Sequence, residues 1–175
     1  MKRCEAGLKG CCKMNSVLIS IKPRWCEKIT RGEKVIEVRK TRPKINTPFK
    51  CYIYQTGGGG VIGEFVCDRI TRICRVGFAG SGEAPRYRVS DPYLPCMGID
   101  WILDAACLSL ESAEKYLSGH IGYCWHIADL KGYDQPKGLS NFCTPPSERL
   151  LKVGYESKFP LKRPPQSWRY VEELK

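Results

Sequence analysis

Two alternating apolar runs on either side of four consecutive glycines constrain this chain more than any other feature. Phe49–Gln55 (FKCYIYQ) and Val61–Asp68 (VIGEFVCD) flank Gly57–Gly60. A period of two places successive side chains on opposite faces of a strand. A glycine turn between two such runs joins them as an antiparallel hairpin. The chain is therefore built on a sheet. The glycines are not a phosphate loop, because no Gly-Lys-Ser/Thr ending and no helix follow them.

The remaining elements are short. Ser16–Ile21 (SVLISI) reads as a buried strand. Pro23 opens a helix and Gly32 closes it, the usual asymmetry of proline in the first turn and glycine beyond the last. Trp25 and Ile29 form its apolar stripe, and Arg24, Lys28 and Arg31 form a basic stripe at i, i+4 and i+7. Val35–Lys40 is the next strand, with Ile36 and Val38 on one face and Glu37 and Arg39 on the other. Ile70–Val76 continues the sheet, and Gly77–Pro95, rich in Gly, Pro, Ser and Asp, reads as a long loop. Ile99–Ala106 fits a short helix or an apolar segment equally well. Leu110–Leu117 is a helix stopped by Ser118-Gly119, Tyr123–Leu130 is a strand, and an extended, irregular tail follows. Ser167–Leu174 returns as a last strand or docks as an anchor. Several short strands with two or three short helices predict an α+β fold, a small mixed β-barrel.

Length and charge bound the function. At 175 residues the chain is one domain. Residues 1–13, without periodicity, read as a tail or upstream extension, residues 14–142 as the barrel, and residues 143–175 as a Pro-rich extension packed on it. No apolar run approaches the roughly 20 residues of a membrane helix. Eleven cysteines, no Cys-x-x-Cys and no secretory leader predict reduced thiols, a cytoplasmic location, no metal and no cofactor. Cys124 and His126 share one face of a strand, but tetrahedral zinc needs two close pairs. The net charge is +11, and residues 20–50 alone carry ten basic and three acidic side chains, a net of +7. Such density is either a solvated basic surface or a site for a polyanion, most often nucleic acid.

The most informative stretch is SIKPRWCEKITRGEKVIEVRK, Ser20–Lys40. It runs strand end, helix, glycine stop, then Gly32-x-Lys34-x-x-Glu37-x-Arg39. This resembles the ASCH family (activating signal cointegrator homology), of the PUA-like superfamily. TPFKCYIYQ with VIGEFVCDRI resembles its central hairpin. GYCWHIADLKGYDQPKGLSNF resembles the late strand and following loop of its phage and bacterial members. By the residues alone, Lys34, Glu37 and Arg39 are either a rim ion pair or a pocket wall. There, Arg and Glu would read a base edge while Lys meets phosphate. The resemblance implies the pocket, since the motif borders the family's cleft.

Trp25 reads as helix-face core, and His126 as a satisfied barrel histidine on the face opposite Trp125. Lys22, Arg24, Lys28, Arg31 and Arg42, with Lys44 beyond, would supply salt-sensitive phosphate contacts around Lys34, Glu37 and Arg39. The resemblance leaves three function classes. The first is a module that binds RNA or a modified nucleoside within it. The second is a nucleotide-directed hydrolase using Lys34 and Glu37. Some small family members deacetylate acetylcytidine with a Lys, a Thr nucleophile and a Glu, and others are ribonucleases. Here Glu37 stands where the threonine would be, and a carboxylate does not replace a hydroxyl nucleophile without changing the mechanism. The third is an accessory protein that recruits a protein partner. The binding module is the preferred reading.

Overall fold

The structure, a computed structural model, describes residues 16–76, 86–91, 98–146 and 158–174. In chain order these form β1 (Ser16–Ile21), α1 (Pro23–Thr30), β2 (Ile36–Arg39), β3 (Phe49–Gln55), β4 (Gly60–Val76), β5 (Arg86–Ser90), α2 (Ile99–Ala105), α3 (Leu110–Leu117) and β6 (Gly122–Lys137). A 3-10 turn (Leu139–Asn141), β7 (Phe142–Cys143) and β8 (Trp168–Glu173) follow. The proposed tail 1–13 lies outside the described residues.

The strands make one mixed sheet in the order β2-β6-β4-β3-β1-β8-β7, with β5 on β4. Only β1 and β3 run parallel; the other pairs are antiparallel. The α+β class, the mixed sheet and the short helices are as expected. The barrel is an open one: among the described residues the hydrogen-bonded path ends at β2 and at β7 without a closing ladder. The sheet nevertheless curls. Val17, Ile19 and Ile21 of β1 share one buried cluster with Trp125 of β6, although β3 and β4 stand between those strands. α1 adds Cys26 and Ile29 to that cluster.

β4 is what makes the curl possible. It is 17 residues long and pairs with β3 near its start, with β6 along its other edge and with β5 at its end. Its ladder with β6 shifts register three times, and such bulges bend and twist a strand. On the far face, Ile36, Val38, Ile73 and Cys124 pack beneath Ile102 and Ala106 at α2 and Leu117 of α3. α3 starts at Ser109, whose hydroxyl accepts from the Ser112 amide at 3.1 Å, and ends with Ser118 in the left-handed region at φ 50°. Both faces of the first part of β6 are thus covered.

Three local readings change. Gly77–Pro95 is not loop throughout: Arg86–Ser90 alternates well enough to pair with the overlong β4, while 77–85 and 92–97 lie outside the described residues. The undecided segment after Gly98 is helix α2. The strand expected to end at Leu130 runs to Lys137, because its partner β4 offers a free edge back to Val61. At the C-terminus the strand alternative holds, since β8 pairs with β1.

Among the described residues Cys26, Cys51, Cys67, Cys74, Cys107 and Cys124 are free thiols, and four of these six are buried. Among the described residues no helix is long and apolar enough to cross a membrane. The β4–β6 contact admits no side chain at Gly63, where an added methyl group would lie 2.6 Å from the Lys131 carbonyl oxygen. Gly63→Ala is expected to lower stability by about 1–3 kcal/mol through overpacking, read as a lower denaturation midpoint with unchanged slope.

Candidate functional site

Glu37 and Arg39 lie two apart on β2 and so share a face. The β2–β6 register sets Glu37 opposite Trp125 and Arg39 opposite Tyr123, which turns both charges toward the inside of the curl. There the Arg39 guanidinium pairs with Glu37 Oε1 at 3.0 Å, and Lys34 Nζ approaches Glu37 Oε2 at 3.3 Å. The side chains of Lys34, Glu37 and Arg39 are only 3%, 8% and 10% exposed, so this is no rim ion pair.

Each member is anchored to a different part of the chain. Lys34 Nζ donates to the Ala106 carbonyl at 2.7 Å and lies 5.2 Å from the centre of the Trp25 ring. Arg39 Nη2 donates to the Ser20 carbonyl at 2.6 Å, and Nη1 to Ser167 Oγ at 3.4 Å. The cluster therefore ties β2 to β1, to the end of α2 and to the segment entering β8. Arg39 Nε is buried and has no hydrogen-bond partner among the described residues.

Two cations around one carboxylate leave a net charge of +1 in a nearly closed site. The neighbouring thiols do not offset it. Burial, with Glu37 nearby, pushes the Cys26 thiol up to about 12, and burial likewise raises Cys124 to about 12, so both are neutral. Tyr116 is also raised by burial and stays a phenol. A buried excess charge with an unused donor is a place where an acceptor or an anion is favoured.

A groove of about 470 Å³ is lined by loop 40–46, which follows Arg39 in the chain, and by Tyr123, which stands opposite Arg39 in the ladder. Lys40, Arg42 and Lys44 of this loop are exposed. Two residues of β8 pin it: Trp168 Nε1 donates to Thr41 Oγ1 at 2.9 Å, and the Lys44 amide donates to the Tyr170 hydroxyl at 2.7 Å. The sequence reading missed Ser167, Trp168 and Tyr170. The alternation of SWRY was visible, but the pairing that carries it to the site is 128 residues long-range.

The helical basic stripe is less uniform than its spacing suggests. Lys28 and Arg31 turn to Glu33, at 3.1 and 3.9 Å, while Arg24 lies over the Trp25 ring at 4.5 Å. Arg24 thus joins the cluster through Trp25, which is partly buried against the core. Lys28 and Arg31 are drawn into a separate pair, and Lys22 is exposed at the helix entrance.

Comparison with known proteins places this geometry in a fold. No family model matches the chain, and no curated protein matches it. Among solved structures, the ASCH protein of Zymomonas mobilis superposes with a TM-score of 0.52 at 19% identity, over 90% of this chain and 87% of that one. Two point mutants of the same protein superpose at 0.55 and 0.56, each at 18% identity. The chain has an ASCH-domain fold. Its form here is an open mixed sheet with three described helices.

On the other face of this ASCH fold, His126 belongs to a separate polar network. Its Nδ1 accepts from Arg69 at 3.2 Å, which leaves Nε2–H to donate to Thr71 Oγ1 at 2.8 Å; Thr71 in turn donates to Asp91 at 2.5 Å. Trp101 stacks on the imidazole at 6.0 Å. With its acceptor nitrogen occupied, His126 is a satisfied histidine, as expected. Among the described residues no group of three His, Cys, Asp or Glu is placed to hold an ion.

Two outcomes follow. Glu37→Gln leaves two buried cations unpaired and is expected to cost about 3–5 kcal/mol, measured by chemical denaturation. Burial, then Arg69, lowers His126 below its ordinary 6.5, against the opposing pull of Asp68 and Asp91. The unfolded chain therefore binds the proton more readily, and stability falls as pH drops below about 6.5. An NMR titration should place the imidazole midpoint below 6.5, and His126→Gln should flatten the stability profile in that window.

Proposed function

We propose that this ASCH-fold protein binds RNA, or a modified nucleoside within it, at the mouth where Glu37 and Arg39 meet the basic groove. The observation that carries this reading is the buried cluster of net charge +1 with an unpartnered Arg39 Nε–H. A nucleotide supplies what such a cluster lacks: acceptors for the free donor and negative charge for the excess cation. Glu37 offers an acceptor beside the Arg39 donors, the pairing with which a base edge is read.

The division of labour follows from exposure. Lys34 has its three protons directed at the Ala106 carbonyl, Glu37 and the Trp25 ring, so it sets the carboxylate rather than reaching for phosphate. Phosphate contact falls to the exposed Lys40, Arg42 and Lys44, with Lys22 and Arg24 beside them. A hydrolase would need Lys34 or Glu37 to take part in proton transfer, yet both oxygens of Glu37 already face a cation. Binding without turnover is the better match to this geometry.

The test is a titration of labelled single-stranded RNA at several salt concentrations, with wild type, Arg42→Ala/Lys44→Ala and Arg39→Lys. Wild type should bind, and the loop variant should lose about 1.4 in the slope of log K against log salt, at ~0.7 per phosphate contact. Arg39→Lys keeps the charge but removes the Nε donor, and should weaken binding with the slope retained. The same samples are assayed for RNA cleavage and acetylcytidine hydrolysis. Turnover abolished by Lys34→Ala in a folded variant would replace this reading with the hydrolase, and wild type that binds no RNA would overturn it.

A further inference from the structure

The register of the sheet extends the charged row beyond the groove. Arg39 on β2 stands opposite Tyr123 on β6, Tyr123 opposite Arg72 on β4, and Arg72 opposite Ser90 on β5. Directly paired residues share a face, so Arg72 stands on the same face as Arg39 and Tyr123. The packing agrees, because Ile70, Tyr123 and Trp125 all contact the β1–β3 core while Ile73 and Cys124 face the helices. Two residues along β4, Cys74 stands opposite Arg88, which puts Arg88 on that face as well. With strands about 4.8 Å apart, Arg72 lies about 10 Å from Arg39 across the sheet.

Arg72 and Arg88 are both exposed, and neither has an ion-pair partner among the described residues. Two other cations of the sheet are neutralised: Lys50 meets Glu64 and Lys137 meets Glu173. Two free guanidinium groups on a two-stranded ribbon, in line with the groove, complement a repeating anion. Arginine also matches phosphate with a planar fork that lysine lacks.

We infer that a single RNA strand leaving the groove crosses Tyr123 and runs onto the β4–β5 ribbon, where Arg72 and Arg88 take further phosphates. This rests on the RNA reading above. Tyr123 is half-buried at the midpoint of the track, where its ring can meet an unstacked base, as a single strand offers and a duplex does not. The protein therefore holds a multi-nucleotide segment, and its affinity rises with oligonucleotide length.

The experiment compares wild type and Arg72→Ala/Arg88→Ala against a nucleoside monophosphate, a long single-stranded RNA and a duplex of the same sequence. Thermal melts serve as a fold control. The double variant should bind the monophosphate as wild type does. It should lose about 1.4 in the salt slope for the long strand, together with most of the advantage of long over short. Wild type should prefer the single strand to the duplex. An unchanged slope and length advantage in the double variant would overturn the track while leaving the groove reading intact. Wild type that bound none of the three ligands would instead overturn the RNA reading itself. Should the two arginines prove to matter only for capture of an acidic protein, with RNA binding unaffected, the ribbon would be a protein-docking face and the track would be overturned.

Discussion

The carboxylate of Glu37 holds two cations inside the protein, and the placement of β2 depends on it. β2 has four residues and lies at one end of the hydrogen-bonded path, with a ladder to β6 alone. Through Arg39 it also reaches the carbonyl of Ser20 on β1 and the hydroxyl of Ser167 next to β8, and through Lys34 it reaches the end of α2. Side-chain bonds thus connect the two sides of a curl that, among the described residues, no backbone ladder closes. Ion clusters of this kind are weak sources of stability when compared with an apolar filling, since each charge must first leave water. Their value lies in specificity of position, and here the position is a charged mouth.

The same arrangement explains why the cluster is not self-contained. Two cations and one carboxylate do not neutralise each other, and the nearby thiols and phenol are kept uncharged by burial. An interior optimised only for packing would pair every donor; Arg39 Nε is left without a partner. Loop 40–46, held by Trp168 and Tyr170, carries the exposed cations Lys40, Arg42 and Lys44 next to this cluster in the chain. On the proposed reading, attraction at long range would fall to a screened rim and recognition at short range to a nearly dry base.

Much of this was legible in the sequence, for reasons that can be named. A short apolar run marked β1, strand alternation marked β3 and the first half of β4, and the Pro23 and Gly32 signals bounded α1 to within a residue or two. The i, i+2 spacing put Glu37 and Arg39 on one face, and the Lys34 spacing brought the third charge to them. Burial was not legible, because it depends on β1, α2 and the approach to β8 closing over β2. The neutralising role of Glu33 on Lys28 and Arg31 was hidden for a different reason: a helix stripe read by period ignores the residue just past the cap. β5 escaped notice because Gly, Pro and Ser around Arg86–Ser90 outweighed five alternating residues whose strand partner among the described residues is the overlong β4.

The central claim is that the Arg39 Nε–H waits for an acceptor from a bound nucleotide. Nitrogen-detected NMR of the arginine side chains during titration with a nucleoside monophosphate tests it most directly. The account predicts a saturable shift of the Arg39 Nε–H signal, with slowed exchange of its proton, at the same concentration that moves the loop 40–46 amides. Loop amides that move while the Arg39 signal stays unchanged would contradict it, and would leave the cluster as an internal brace alone.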